Sequence, residues 1–65
     1  MPRPVEIAGT EPEGMIHRLR RSREEVVVEL ILADGTPATA RMTPAHADWL
    51  ELRAGDIVGV RPLSA

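Results

Sequence analysis

The segment Val26-Val27-Val28-Glu29-Leu30-Ile31-Leu32, running into Ala33-Asp34-Gly35-Thr36, constrains this chain more than any other. Its β-branched richness predicts a strand, with Val26, Val28, Leu30 and Leu32 on a core face and Val27, Glu29 and Ile31 on the other. Asp34-Gly35 supplies the two positive-φ positions that a type I′ hairpin turn requires. The returning strand is then Pro37-Ala38-Thr39-Ala40-Arg41-Met42, opened by a proline whose missing N–H is tolerated at a first position. Val27 and Ile31 leave the second face partly apolar, which marks a subunit contact or an edge covered by the N-terminal segment.

The flanking segments read as shorter elements around that hairpin. Met15 to Arg21 is a strand of imperfect alternation, turned by Ser22-Arg23-Glu24-Glu25. Residues 1–13, with Pro2, Pro4, Gly9 and Pro12, read as a flexible N-terminal arm in which Val5-Glu6-Ile7 forms a short strand. Thr43-Pro44 starts a helix: Thr43 is an N-cap and Pro44 suits the first helical position. Ala45 through Leu52 continue it, with Ala47, Leu50 and Trp49 inward and Gly55 as a left-handed stop. Ile57-Val58-Gly59-Val60-Arg61 is the closing strand, ended by Pro62. The expected fold is mostly β: an OB-like curled sheet or partly open barrel of four or five strands, with one short helix before the last strand and residues 14–65 as the β domain.

Composition narrows the function. Sixty-five residues make one small domain, and chains of this size bury only about 60% of their unfolded surface, so self-association is an expected source of stability. There is no cysteine, and His17 and His46 have no paired ligand spacing, so no metal or cofactor is expected. No Ser-His-Asp set or paired carboxylates emerge, so catalytic residues are not expected and the chain does not read as an enzyme. No apolar run suggests membrane insertion, no signal peptide is evident, and a cytoplasmic location follows by default. The net charge is −2, but all eight basic residues are arginine, and Arg18, Arg20, Arg21 and Arg23 fall in residues 14–23 with no acid among them.

Three stretches carry a family likeness: Leu30-Ile31-Leu32-Ala33-Asp34-Gly35-Thr36-Pro37, Ala40-Arg41-Met42-Thr43-Pro44-Ala45-His46-Ala47-Asp48, and Leu50-Glu51-Leu52-Arg53-Ala54-Gly55-Asp56-Ile57-Val58-Gly59-Val60-Arg61-Pro62. Together they resemble the TOBE (transport-associated OB) domain at the C-terminus of bacterial sulfate- and molybdate-type ABC transporter ATPases. The opening Arg3-Pro4-Val5-Glu6-Ile7 is similar to the strand by which those ATPases enter this region. No G-x-x-x-x-G-K-[ST] phosphate loop is present, so the chain lacks the means to hydrolyse ATP. The resemblance implies a non-catalytic regulatory module that senses an oxyanion, sulfate or molybdate, and mediates dimer contacts. Its partners would be a second copy or a transporter ATPase component.

Arg18, Arg20 and Arg21, with Thr43 at the helix N-terminus, are the candidate oxyanion ligands, since guanidinium groups and free N–H donors bind such anions. On a regular strand Arg18 and Arg20 share one face while Arg21 and Arg23 share the other. The competing reading is a solvated edge that pairs with Glu24, Glu25 and Glu29. Val27, Ile31 and Trp49 are the candidate interface residues. Two other functions stay open: a structural protein-interaction module without a small ligand, and a single-stranded nucleic-acid binder. The last is disfavoured by a lone tryptophan and an acidic balance, because such folds need several stacking aromatics on a basic face.

Overall fold

In the computed structural model, which describes residues 2–9 and 13–63, five strands and one helix build a closed barrel. Residues 10–12 of the expected arm lie outside the described residues. In chain order the elements are β1 (Arg3–Ile7), β2 (Glu13–Arg21), β3 (Val26–Leu32), β4 (Pro37–Met42), α1 (Pro44–Leu50) and β5 (Ile57–Pro62). Strands β2, β3 and β4 form an antiparallel meander, and β5 returns to pair antiparallel with β2.

The opening segment decides the architecture. Val5-Glu6-Ile7 is extended as expected, but β1 is paired on both edges: parallel to β4 (Arg3 opposite Ala38) and antiparallel to β5 (Val5 opposite Pro62, Ile7 opposite Val60). Residues 3–7 are therefore a stave of the barrel: the mostly β fold expected as a curled sheet or partly open barrel of four or five strands has five, and the ring is closed. Glu6 and Arg61, directly opposite across β1 and β5, form an ion pair on the outside. Closure removes the exposed sheet edge that a four-stranded form would carry.

The predicted core face is the observed one. Val26, Val28, Leu30 and Leu32 are buried, along with Val5, Ile16, Ala38, Ala40, Ala47 and Val60. A five-stranded barrel has a narrow interior, and the fully buried side chains of β4 are the small Ala38 and Ala40, opposite the larger Leu30 and Val28, with Met42 packed at the margin. That pairing of small with large side chains fills the taper without overpacking.

The uneven pattern of β2 has a physical explanation. The register with β3 shifts by one residue between Ile16 and Arg18, which marks a β-bulge at His17. Ile16 and Leu19, three positions apart, consequently both pack on the core, while Arg18 and Arg20 lie opposite Glu29 and Val27 on the outer face.

Two turns differ from the sequence expectation. The β3–β4 loop is Ala33-Asp34-Gly35: Gly35 N–H donates to Leu32 C=O, Leu32 N–H donates to Thr36 C=O, and only Gly35 has positive φ (+86°). This is a three-residue hairpin with a left-handed glycine, not a type I′ turn, because the Asp34 carboxylate accepts the Thr36 N–H at 2.9 Å and holds an Asx-type turn instead. Helix α1 begins as expected, with Thr43 Oγ1 accepting the His46 N–H and Pro44 at the start. It ends earlier, at Leu50, where Glu51 takes the left-handed conformation (φ 53°) and its N–H donates to Asp48 C=O. Gly55 (φ +97°) serves the following turn, in which Asp56 Oδ2 accepts the Arg53 N–H.

Candidate functional site

The barrel exterior carries two chemically distinct surfaces. The first is built on the register of β2, β3 and β4, which places Arg20 opposite Val27 and Val27 opposite Arg41. Arg20, Arg21 and Arg41, with Ser22, Glu25 and Val27, line a recess of about 310 Å³. Val27 is half-buried between the two flanking arginines, whose aliphatic stems can cover it. Its apolar character thus has an explanation within the chain.

The counter-charges are close. Arg21 Nη2 donates to Asp48 Oδ1 at 2.8 Å, and Arg20 Nη1 lies 3.8 Å from Glu29 Oε2. The latter is within ion-pair range but too long for a hydrogen bond, which leaves Glu29 Oε2 buried without a hydrogen-bond partner. Arg18 and Arg41 make no ion pair among the described residues. An incoming anion would meet Arg41 unpaired, Arg20 weakly engaged and Arg21 already committed. Guanidinium groups in that state can still bind an oxyanion by bidentate hydrogen bonds, at the cost of competing with Glu25, Glu29 and Asp48.

The four candidate ligands do not converge. Arg20 and Arg21 share the recess, whereas Arg18 and Thr43 do not line it. The Thr43 hydroxyl is occupied by the helix cap. Sequence reading missed Arg41. The signal was available in the hairpin, because pairing β3 to β4 across the Asp-Gly loop puts Arg41 beside Val27.

The second surface is apolar. Trp49, expected inward, is 77% exposed, because the seven-residue helix buries only Ala47 against the barrel. Its indole stacks on the His46 ring, with centroids 6.3 Å apart and planes at 26°. Trp49, Leu50, Leu52, Ile57, Val58 and Ile7 line one groove. Ile57 also borders a second recess of about 300 Å³, formed with Met15, Ile31, Leu32, Ala33 and Gly14. Of the interface candidates, Trp49 and Ile31 thus belong to one continuous apolar band, and Val27 does not. Ile57 (60% exposed) and Met15 (44% exposed) join that band; they are cross-strand neighbours on β5 and β2.

Among the described residues no three His, Cys, Asp or Glu side chains cluster to hold a metal, and no helix is long and apolar enough to cross a membrane. At Asp34, Thr36, through its side chain and then its backbone N–H, holds the carboxyl below its ordinary value. No protein-family model, curated protein or solved structure matches the chain.

Proposed function

We propose that this chain is a non-catalytic TOBE-like regulatory and binding module linked to sulfate or molybdate ABC transport, acting in the cytoplasm. In this reading it senses the oxyanion and associates with a second copy or with a transporter ATPase component. One observation carries the proposal. The two end motifs of the resemblance, Arg3-Pro4-Val5-Glu6-Ile7 and Gly55-Asp56-Ile57-Val58-Gly59-Val60-Arg61-Pro62, meet as paired strands and close the barrel through Val5–Pro62, Glu6–Arg61 and Ile7–Val60. Motifs at opposite ends of the chain thereby share one structural role, which supports the reading.

The arginine recess is the better place for the anion, and Arg20 with Arg41 are its principal ligands. Calorimetric titration with molybdate, tungstate and sulfate is the direct test. Saturable heat, lost when Arg20 and Arg41 are both replaced by alanine, is expected. No heat and no chemical-shift change at millimolar anion would remove the sensing half of the proposal.

A second reading, a protein-interaction module without a small ligand, is favoured by the apolar band around Ile57. The two readings separate in the same titration, because the interaction module gives no anion response yet still self-associates or binds a partner. Nucleic-acid binding is weakest: the single tryptophan lines the apolar groove and not the arginine recess, so stacking and phosphate contact are not brought together.

A further inference from the structure

We infer that two copies of this chain associate through the Trp49–Ile57–Met15–Ile31 band, the indole of each copy entering the recess between Met15, Ile31 and Ile57 of the other. The inference rests on the self-association half of the proposed function and gives it a surface; it is independent of the anion half.

Shape is the first argument. The band holds a projecting side chain and a hollow that have Ile57 as a common border. Trp49 stands out from α1, steadied by its stack on His46, and the recess of about 300 Å³ is large enough to take an indole ring. Ile57 borders both the groove of Trp49 and the recess. A two-fold axis passing near Ile57 therefore exchanges knob and hollow between copies, so that each fills the other and the contact closes on itself.

Charge distribution is the second. The two apolar hollows of the band include Glu13 and His46 but no other ionisable side chain, whereas Arg20, Arg21, Arg41 and Glu25 gather in the recess on β2–β4. Depletion of charge, with Trp and Met at the centre, is the compositional mark of an interface core. A second copy presents the same charge-poor surface, and Glu13, exposed at the start of β2, is the carboxylate that the contact leaves hydrated at its rim.

Area is the third. Large side chains present about 150–250 Å² when free, so Trp49, Ile57 and Met15 alone offer on the order of 350 Å², and the half-buried Ile31, Leu50 and Leu52 bring the band to about 500 Å². That is near one tenth of the 4711 Å² total surface. It meets the roughly 1,000 Å², counted over both partners, that a specific interface needs. The expected dimer is correspondingly modest, with a dissociation constant in the micromolar range.

Sedimentation equilibrium across a micromolar-to-millimolar dilution series, with Trp49 emission recorded on the same samples, tests this. A monomer–dimer equilibrium whose midpoint coincides with a blue shift of the indole is expected. Trp49→Ala should weaken association by at least about thirtyfold, as loss of an aromatic anchor does. Ile57→Lys, at a position already exposed, should abolish it while the circular dichroism spectrum stays native. Leu63→Ser, which removes an exposed apolar residue outside the band, should leave it unchanged.

A strict monomer at millimolar concentration overturns the inference. So does a dimer that survives both Trp49→Ala and Ile57→Lys, or an association that grows beyond two copies and so does not close. Oxyanion titration of the monomeric Trp49→Ala variant reports the sensing half separately, so failure of one is distinguishable from failure of the other.

Discussion

Arg21, the last residue of β2, donates to the Asp48 carboxylate on α1 at 2.8 Å. The contact ties the end of the first long strand to the helix that links β4 to β5. It also withdraws the guanidinium from the anion role that the arginine run suggests. Both side chains are more than half exposed, so water and salt screen the pair and its contribution to stability is small. Asp48→Asn should cost about 0.2–1 kcal/mol in low salt, with the difference from the parent vanishing in molar salt. Thermal denaturation followed by circular dichroism at the two ionic strengths checks this. A loss of several kcal/mol would show that the pair is the main anchor of α1.

Glu51 ends α1 in a left-handed conformation that costs a non-glycine residue about 1–2 kcal/mol, and it places an acid at the negative end of the helix. Glu51→Gly relieves both, partly offset by the greater freedom of glycine in the unfolded chain. A net gain of about 1 kcal/mol is expected, which raises Tm by roughly 4–8 °C in a domain of this size. An unchanged or lower Tm would mean that the Glu51 side chain makes a stabilising contact absent from this geometry.

The hairpin loop carries a pH dependence. Thr36, through its side chain and its backbone N–H, holds the pKa of Asp34 below its ordinary value of 3.8. A carboxyl whose folded pKa is depressed stabilises the fold above its unfolded pKa, and that stabilisation is lost as pH falls through the folded value. The parent should therefore lose more stability than Asp34→Asn between about pH 5 and about pH 2, the window set by the carboxylate range. Parallel pH–stability curves for the two proteins would indicate that the Asx turn contributes nothing through ionisation. Gly35→Ala, at φ +86°, should be less stable than Asp34→Asn at every pH.

The core is thin enough that one deletion should remove a large share of the stability. Leu30 is fully buried opposite Ala38, and no larger neighbour on β4 can relax into the space it leaves. Leu30→Ala should cost about 3–5 kcal/mol against a total stability of roughly 3–10 kcal/mol for a chain of this length. Denaturant titration at 25 °C should show the midpoint lowered by about a third or more of its parent value, since a loss of that size removes that share of the total. An unchanged midpoint would mean that the barrel collapses around the cavity or draws more stability from association than from its own interior.

Much of this fold was legible because local chemistry agrees with it. The alternation of β3, the Asp-Gly loop, the small residues of β4 and the Thr43-Pro44 helix start each state their role within a few residues. The turn type was misjudged because Asp-Gly serves two kinds of hairpin, and the choice depends on where the Asp34 carboxylate finds a donor. The helix stop was misplaced because glycine is the usual left-handed residue, yet here Glu51 adopts that conformation and Gly55 bends the next turn. The candidate site was half legible. Arg20 and Arg21 stood out as a run in one segment, whereas Arg41 joins them only through strand register.

By itself the sequence determined which residues form the strands of the meander, which face of β3 is buried, and where the hairpin and helix begin, since these follow from periodicity and from conformational preference over short spans. Only the tertiary structure decided that β1 closes the barrel, that a bulge at His17 turns Arg18 and Arg20 outward, and that Ile57 links the groove of Trp49 to the recess of Met15 and Ile31. Those outcomes depend on pairings between residues far apart in the chain, and hydrophobic burial, which has no direction of its own, selects among such pairings only when the whole barrel is assembled.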